Sequence, residues 1–368
     1  MLLLLVGLLA LTGVVVTSSG GGTQAQARWV ITDLGTLGGD DSQATAINDR
    51  GQVVGFAYTT AKDKDGHQNW HAFLWTNGRM RDLGTFGGRN SEALAINEHG
   101  QVVGWADTKA KGANGEQIAH AFLWENGRMR DLGTLGGQGS SAMDINDHGQ
   151  IVGKADTRAK DKDGQPTAHA VVWRKGSVID LGTLGGPGSE AVAVNEHGQV
   201  VGSADTKGKI KEFGYIWPVE HAFLWETGRM RDLGIIGGKR SAASDINERG
   251  QIVGSLDTGK KDAESKYGDE PIWHAFLWQN GRMRDLTPGG PFSFAGAING
   301  LGQIAGSVTA LGENQDSRAT VWQNVKRIEL GTLGFGSEAV SINARGQASG
   351  WSETRDWDKH AVVWTLRP

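Results

Sequence analysis

Seven copies of one sequence unit fill most of this chain, and they restrict its fold more than any other feature. Each copy carries three landmarks, Asp-Leu-Gly-Thr-Leu-Gly-Gly, Ile-Asn-x-x-Gly-Gln-Val-Val-Gly and His-Ala-Phe-Leu-Trp, with weaker versions in the last two copies. The landmark asparagines recur every 44 to 52 residues, at Asn48, Asn97, Asn146, Asn195, Asn247, Asn299 and Asn343. A period of about 40 to 50 residues is typical of propellers and repeat arrays.

Each copy is predicted to form four short strands. In the second copy these are residues 92–96, 101–106, 120–124 and 128–132, and no segment shows helical periodicity. The four residues from Asn97 to Gly100 fit a tight turn, and Asn126-Gly127 is the pair that a two-residue hairpin prefers. One repeat is therefore a meander of four antiparallel strands.

The two ends of the repeat array complete each other. The array begins with Trp29 to Leu34, a fourth strand without its first three, and ends at Trp364 with a third strand and no fourth. Pairing these fragments gives seven full sheets and leaves no open edge. We predict an all-β fold, a seven-bladed β-propeller of four-stranded antiparallel blades, closed by the N-terminal strand and spanning residues 28–368 as one domain. A linear β-solenoid is the alternative.

Residues 1–27 have the pattern of an export signal. The apolar run from Leu2 to Val16 is followed by small and polar residues that end in Ala25-Gln26-Ala27, an A-x-A cleavage pattern. The run is shorter than the ~20 apolar residues of a spanning helix, so an uncleaved anchor is the alternative. The sequence predicts a signal peptide over residues 1–27 and an extracellular, secreted or cell-envelope location, with no stable membrane insertion after cleavage.

Composition excludes several kinds of chemistry. The chain has no cysteine, which rules out disulfides, thiolate metal sites and a cysteine nucleophile. The formal net charge of −4 gives no electrostatic argument for binding nucleic acid or an anionic membrane. The oligomeric state is left open.

The motifs resemble the HAF family of probable extracellular repeat proteins, which takes its name from the His-Ala-Phe triplet. That triplet begins here at His71, His120, His221 and His274, and the likeness covers nearly all of residues 28–368. Copies six and seven depart from it, with Arg318 at the histidine position and Gln-Ala-Ser-Gly at 347–350. The resemblance implies a repeat fold outside the cell, and it implies no activity for particular residues.

Residues that recur in every blade lie on a ring, whereas catalysis needs one asymmetric cluster. We therefore assign a structural role, as partners in hydrogen-bonded networks, to the aspartates of the first landmark and to the histidines His71, His120, His169, His221, His274 and His360. The sequence contains no sialidase Asp-box, no Gly-x-Ser-x-Gly elbow and no His-Glu-x-x-His helix. It favours a non-catalytic protein, although the absence of enzyme activity stays open.

Differences between the copies concentrate in the connections between second and third strands, which we predict to be long polar loops sharing one face of the ring. Binding residues are usually found on such loops. The predicted ligand-binding residues are the aromatic side chains of this face, Phe213, Tyr215, Trp217, Trp70, Trp273 and Trp357. Such rings stack on sugars or anchor protein partners. The alternative is that they fold back to cover the blade ends.

Two of these connections contain Asp-Lys-Asp-Gly, which is part of a calcium-binding pattern. The carboxylates are Asp63 and Asp65 in the first copy and Asp161 and Asp163 in the third. Neither copy has the closing Glu of a calcium loop, so a solvated turn is the alternative. We expect no cofactor, with calcium as the one candidate.

Three functions stay open at this point. The favoured one is a non-catalytic binding protein, secreted or on the cell surface, that recognises a glycan or an exported protein. The alternatives are an extracellular hydrolase or lyase acting on a polysaccharide and a structural or adhesive surface protein. Unequal carboxylates near the central tunnel would favour the enzyme, whereas small residues there, such as Ala95, Ala193 and Ala297, favour binding.

Overall fold

The computed structural model describes residues 28–112, 115–160, 164, 166–212, 215–262, 270–309, 316–324 and 326–367. Within these ranges every regular element is a β-strand. We find in them no helix with the length and apolar character needed to cross a membrane. The predicted signal peptide, residues 1–27, lies outside the described residues.

The strands form seven four-stranded antiparallel sheets, the blades, and six of them are continuous in sequence. Blades 1 to 3 contain β2 (Gly38–Ile47), β3 (Val53–Lys62), β4 (Gln68–Thr76) and β5 (Arg79–Gly84); β6 (Gly87–Ile96), β7 (Val102–Lys111), β8 (Gln117–Glu125) and β9 (Arg128–Asp131); and β10 (Ser140–Ile145), β11 (Ile151–Lys160), β12 (Pro166–Arg174) and β13 (Ser177–Asp180). Blades 4 to 6 contain β14 (Gly185–Val194), β15 (Val200–Glu212), β16 (Tyr215–Glu226) and β17 (Arg229–Asp232); β18 (Ser241–Ile246), β19 (Ile252–Asp262), β20 (Glu270–Gln279) and β21 (Arg282–Asp285); and β22 (Phe292–Ile298), β23 (Ile304–Thr309), β24 (Ser317–Gln323) and β25 (Lys326–Glu329). Blade 7 contains β26 (Ser337–Ile342), β27 (Ala348–Glu353), β28 (Lys359–Arg367) and β1 (Arg28–Asp33).

The ring is closed by β1, as the sequence predicts. This strand pairs with β28 along its whole length, from Arg28 opposite Arg367 to Asp33 opposite Val362. The first strands of successive blades contact one another in an unbroken cycle from β2 to β26 and back to β2. The protein is thus a closed seven-bladed β-propeller with the first strand of each blade innermost, and the linear solenoid is excluded.

The hydrophobic core lies between neighbouring blades. One cluster packs Val54 and Leu74 of blade 1 against Ala93, Phe122 and Trp124 of blade 2, and similar clusters fill the other inter-blade spaces. Both faces of each third strand are covered in this way. The His-Ala-Phe-Leu-Trp landmark is therefore apolar because its strand is buried between two sheets.

A ring of asparagine side chains ties the blades together around the axis. Each landmark Asn donates a hydrogen bond from Nδ2 to the main-chain oxygen of the landmark Asn in the next blade, at 3.0 to 3.2 Å. The last of these bonds joins Asn343 to Asn48 over 3.0 Å and completes the circle. Each of these carbonyls also accepts the amide of the turn glycine three residues on, so the buried asparagine amide adds a second bond that joins neighbouring blades, which explains why the asparagine recurs in every repeat.

The repeated histidines and aspartates form the predicted structural networks. In six blades the His Nδ1 lies 2.7 to 2.9 Å from the carboxylate of the fourth-strand Asp. The other oxygen of Asp82 accepts the amide hydrogen of Gly84, which fixes the link to the next blade. In blade 6, Arg318 replaces the histidine and donates to the main-chain oxygen of Phe335.

In blades 1 to 5 the described parts of the connections between second and third strands are paired strands and not the long loops that the sequence predicts, whereas residues 310–315 of the blade 6 connection lie outside the described residues. In blade 1 the strands continue to Lys62 and from Gln68, and a turn closed by the hydrogen bond from the Asp63 amide to the His67 carbonyl joins them. In blades 1 to 5 the polar segments are extensions of β-hairpins past an irregularity in register. The prediction was wrong because polarity reports exposure to water, and a projecting hairpin is as exposed as a loop. We call the side of the ring carrying these hairpins the hairpin face, and the side carrying the Asn turns the turn face.

The second glycine of the Gly-Gln-Val-Val-Gly landmark is required by packing. A Cβ on Gly104 would overlap the main-chain oxygen of Glu92 on the neighbouring strand, whereas a Cβ on Gly300 meets no atom. We expect Gly104→Ala to lower the free energy of unfolding by about 3 kcal/mol, measured by urea denaturation. Gly300→Ala is the control and should leave it unchanged; equal stability of the two variants would contradict this explanation.

Candidate functional site

One repeat position on the innermost strands has different residue types in different blades. It lies two residues before the landmark asparagine and is occupied by Ala46, Ala95, Asp144, Ala193, Asp245, Ala297 and Ser341. Two blades, the third and the fifth, place a carboxylate where four others have alanine. The expectation of small residues around the tunnel therefore holds in five blades and fails in two.

Each of these carboxylates also bridges two blades. The oxygens of Asp144 accept hydrogen bonds from the amides of Ile145 and Val194, both at 2.8 Å, which joins blade 3 to blade 4. The oxygens of Asp245 accept from Ile246 and Ile298 at 2.7 Å and join blade 5 to blade 6. Both carboxylates thus have one backbone partner for each oxygen.

The position of the two carboxylates favours their protonated forms. Burial raises the pKa of Asp144 to about 7, against the opposing hydrogen bond from Val194, and the negative charge of Asp245 raises it further. Burial likewise raises the pKa of Asp245 to about 6. The two carboxyls are therefore electrostatically coupled although blade 4 lies between them.

A second repeat position that differs between the blades lies at the middle of the inner strands, and its seven side chains form a ring. On the second strands it consists of Phe56, Trp105, Lys154, Ser203, Ser255, Ser307 and Trp351. The residues opposite them on the first strands are Gln43, Glu92, Ser141, Glu190, Ala242, Phe294 and Glu338. Aromatic rings fill this level in blades 1, 2 and 7, whereas blades 4, 5 and 6 have serine.

The charged members of this ring pair with neighbouring groups. Lys154 of blade 3 reaches Glu190 of blade 4 with 3.2 Å between Nζ and Oε1. Trp105 Nε1 donates to Glu92 Oε2 at 3.2 Å within blade 2, and burial raises the pKa of Glu92. Burial also raises the pKa of Glu338, which accepts hydrogen bonds from Trp351 and Ser307. The serine of blade 6 therefore already has a carboxylate partner.

A cleft opens between blades 5 and 6, where the ring has small side chains. We call it the blade 5–6 cleft; its volume is about 390 Å³, and its walls are Ala242, Ser255 and Trp273 from blade 5 and Phe292, Ser293, Phe294, Ser307 and Thr309 from blade 6. This volume falls in the range of small-molecule sites. The lining combines three aromatic rings with four hydroxyl groups and has no ionisable side chain.

A larger depression, of about 780 Å³, lies on the turn face of blades 1 to 3. Its walls include the repeated Gln52 and Gln101 and the Trp124 ring, over which the Arg81 guanidinium lies 5.1 Å from the ring centroid. Arg231 covers Trp278 in the same way at 5.1 Å. Its walls also include His99, Glu125, Asp147 and His148, which occupy positions that differ between the repeats, so this depression is a second concave surface and carries ionisable side chains.

The predicted binding residues occupy separate places on the hairpin face. Tyr215 and Trp217 lie on the extended β15–β16 hairpin of blade 4, are 69% and 52% exposed, and have ring centroids 6.2 Å apart. Phe213 lies outside the described residues. Trp357, 66% exposed in blade 7, stacks on Phe335 with 3.8 Å between centroids. These two parts of the surface, on blades 4 and 7, do not form one cluster.

Trp70 and Trp273 hold the same repeat position in blades 1 and 5, and both are half-buried. The Trp70 ring packs against Tyr58 with centroids 5.7 Å apart, so it covers a blade end as the alternative interpretation proposed. Trp273 instead lines the blade 5–6 cleft, with the Arg240 guanidinium 5.2 Å from its ring centroid. Of the predicted aromatic residues, Trp273 is the one that borders a cleft.

The calcium pattern forms a turn in blade 1. One oxygen of Asp63 accepts the amide hydrogens of Asp65 and His67, and the other lies 2.8 Å from Arg89 Nη1. Asp65 is exposed beside Lys64. In the described part of the chain no group of three or more His, Cys, Asp or Glu side chains could hold a metal ion. Asp161 and Asp163 lie outside that part.

Sequence reasoning missed Asp144, Asp245 and most of the cleft. The signal was present in the aligned repeats, since both carboxylates and the serines occupy columns that differ between blades. The expectation of small residues near the tunnel rested on Ala95, Ala193 and Ala297 and left out Asp144 and Asp245 of the same column. Which of those columns face a cleft follows only from the register of the inner strands.

Comparisons with known proteins support the fold and give no activity. The model of a family described as a protein of unknown function, DUF3466, matches residues 41–135, which span the first two blades. No curated protein matches the chain.

Two solved propellers resemble it in structure. The β-propeller domain of the Trilobed protease from Pyrococcus furiosus, described as having an open velcro topology, is 10% identical, with a TM-score of 0.57 over 89% of this chain and 95% of that chain. The Pyrococcus horikoshii acylaminoacyl peptidase is 12% identical, with a TM-score of 0.56 over 89% of this chain and 52% of that chain. This chain thus spans about half of the peptidase, and at these identities the likeness shows the fold alone.

Proposed function

We propose that this protein is a non-catalytic binding module of the cell exterior and that its ligand is a glycan held in the blade 5–6 cleft. The observation that carries the proposal is the cleft lining, where Trp273, Phe292 and Phe294 surround the hydroxyls of Ser255, Ser307 and Thr309. Aromatic rings pack against the C–H faces of sugars, and hydroxyl groups exchange hydrogen bonds with sugar hydroxyls. The wall residues carry no ionisable side chain, and the charged groups next to them have partners, since the Arg240 guanidinium lies over the Trp273 ring and Glu338 accepts a hydrogen bond from Ser307. This lining fits an uncharged sugar.

The location outside the cell rests on other grounds. The apolar run and Ala-Gln-Ala pattern before Arg28 are typical of an export signal, and the repeat motifs resemble an extracellular family. A protein stabilised by packing alone, with no cysteine, suits that compartment as well as any other. The cleft does not depend on this location.

Trp273→Ala provides the test of the glycan site. We expect residues 28–368 to bind a defined set of neutral glycans on an array and Trp273→Ala to weaken that binding about 30-fold, as loss of a central aromatic contact costs about 2 kcal/mol. Ser255→Trp, which places in blade 5 the residue that blades 2 and 7 have at this position, should block the cleft and give the same loss.

Trp70→Ala is the matched control, because Trp70 has the same repeat position and similar burial but packs against Tyr58 and does not line the blade 5–6 cleft. It should bind as the unaltered protein does. Equal losses of binding in Trp70→Ala and Trp273→Ala would show that the loss arises from lower stability. If the protein bound no glycan, the glycan site would be rejected, and an exported protein partner or an adhesive role would be favoured.

A hydrolase or lyase acting on a polysaccharide is the second candidate, favoured by the coupled carboxyls of Asp144 and Asp245. Paired carboxyls with raised pKa values are typical of acid-base catalysis. Against it, each oxygen already accepts a backbone hydrogen bond. Release of reducing ends from polysaccharides by the unaltered protein, and its loss in Asp144→Ala, would support this second candidate over the first.

A further inference from the structure

Exposed apolar side chains are concentrated in one blade. Ten large apolar side chains are exposed in the described ranges, and five of them belong to blade 4 and its link to blade 5, namely Tyr215, Ile216, Trp217, Ile235 and Ile236. The other five are distributed over blades 3, 6 and 7. Single exposed apolar residues need no explanation, whereas a concentration of this kind marks an interaction surface.

The five residues, which we call the blade 4 patch, project on the hairpin face. Five links between blades have Thr at the position of Ile235, and in four of them its hydroxyl bridges the link, as when Thr134 Oγ1 donates to the carbonyl of Gly137 at 3.0 Å. The link after blade 4 lacks this hydrogen bond, because the position is occupied by Ile235, which is 39% exposed. Packing within the propeller does not account for that exchange.

The hairpin itself also differs from those of the other blades. Its strands β15 and β16, of 13 and 12 residues, are the longest among the described strands. In its register Lys211 lies opposite Ile216 and Ile210 lies opposite Trp217. The aromatic rings therefore occupy one side of the hairpin, and Ile216 shares the other side with Lys209 and Lys211.

Exposed lysines lie on the same segments as the apolar residues, Lys207, Lys209 and Lys211 on β15 and Lys239 on the link between β17 and β18. Residues 206–219 contain these three hairpin lysines and one glutamate, so this segment is positive although the whole chain has a net charge of −4. An apolar tip with a basic margin has the charge and polarity of a group that enters the headgroup region of a membrane.

We propose that the blade 4 patch attaches the propeller to the surface of an anionic lipid bilayer. Trp and Tyr side chains prefer the membrane-water interface, and isoleucines at the same level enter the acyl boundary. Lysines next to them are attracted to anionic headgroups. A protein partner fits less well, because the centres of protein interfaces are depleted in lysine. This attachment is independent of the blade 5–6 cleft.

Vesicle flotation tests the proposal with residues 28–368, which contain every strand of the propeller. We expect the protein to float with vesicles of phosphatidylglycerol and phosphatidylcholine, and to stay unbound with phosphatidylcholine alone. Neutralising the lysines in the triple variant Lys207→Gln, Lys209→Gln and Lys211→Gln should weaken partitioning on the order of 100-fold. The double variant Tyr215→Ser and Trp217→Ser should weaken it at least about tenfold.

Ile179→Ser is the matched control, because Ile179 is 46% exposed on blade 3 away from the patch. It should float like the unaltered protein, and all variants should keep the thermal midpoint, since each changed residue is exposed. No flotation, equal flotation with both kinds of vesicle, or undiminished flotation of both the lysine and the aromatic variant would overturn the proposal. Glycan binding by a variant that no longer floats would leave the proposed cleft function intact.

Discussion

A variant that begins at Leu34, and so lacks β1, is expected to unfold at a thermal midpoint lower by about 10 °C or more than that of residues 28–368. Blade 7 then loses six paired residues, and β28 becomes an open edge. Trp29 and Ile31 no longer pack against the cluster around Trp364. The backbone hydrogen bonds and the lost apolar contacts are each worth about 1 kcal/mol or more.

Complementation with a peptide separates loss of the strand from general damage. Adding a peptide of residues 28–34 to the shortened protein should restore most of the thermal midpoint, because its place beside β28 is intact. A peptide with Trp29 and Ile31 changed to Ser is the control and should restore little. A shortened protein as stable as residues 28–368 would show that β1 does not hold the ring closed.

Asp144 and Asp245 are expected to make the propeller less stable as the pH rises. The folded protein holds the protons of Asp144 up to about pH 7 and of Asp245 up to about pH 6, whereas the unfolded chain releases them near the ordinary value of 3.8. Between these values the folded state binds more protons than the unfolded state. The free energy of unfolding therefore falls from about pH 4 to about pH 7, by on the order of 3 kcal/mol for Asp144.

The double variant Asp144→Ala and Asp245→Ala tests this expectation, and alanine is the residue that four other blades have at the same position. At pH 8 the variant should be more stable than the unaltered protein, because two ionised, mostly buried groups are gone. At pH 5 it should be equally or less stable, because the bridges to Val194 and Ile298 are lost. Urea denaturation at both pH values measures the difference.

Ala95→Asp provides the converse control by placing a third carboxylate at this position in blade 2. It should lower stability at pH 8 more than at pH 5. Burial also raises the pKa of Asp205, to about 6, so some pH dependence remains in the double variant. If the stability of the unaltered protein and of the double variant depended on pH in the same way, the assignment of the pH dependence to Asp144 and Asp245 would be disproved.

The repeats by themselves determined the architecture. Four strands per unit followed from the turn residues around Asn97 and Asn126, and closure followed from the fragments at Trp29 and Trp364. These inferences succeeded because turns depend on local backbone geometry and because an incomplete blade leaves edges that only its complement can cover. The structural roles of the repeated histidines and aspartates followed from their periodicity.

Only the tertiary structure decided which of the varying residues meet. Trp70 and Trp273 hold the same repeat position, yet one packs on Tyr58 and the other lines the blade 5–6 cleft. The neighbouring blades differ, since blade 6 has Ser307 at the position that Trp105 occupies in blade 2. The asparagine ring and the bridges made by the carboxylates Asp144 and Asp245 also depend on residues 44 or more positions apart. Such contacts are set by how the sheets stack around the axis, a long-range property that local sequence patterns do not encode.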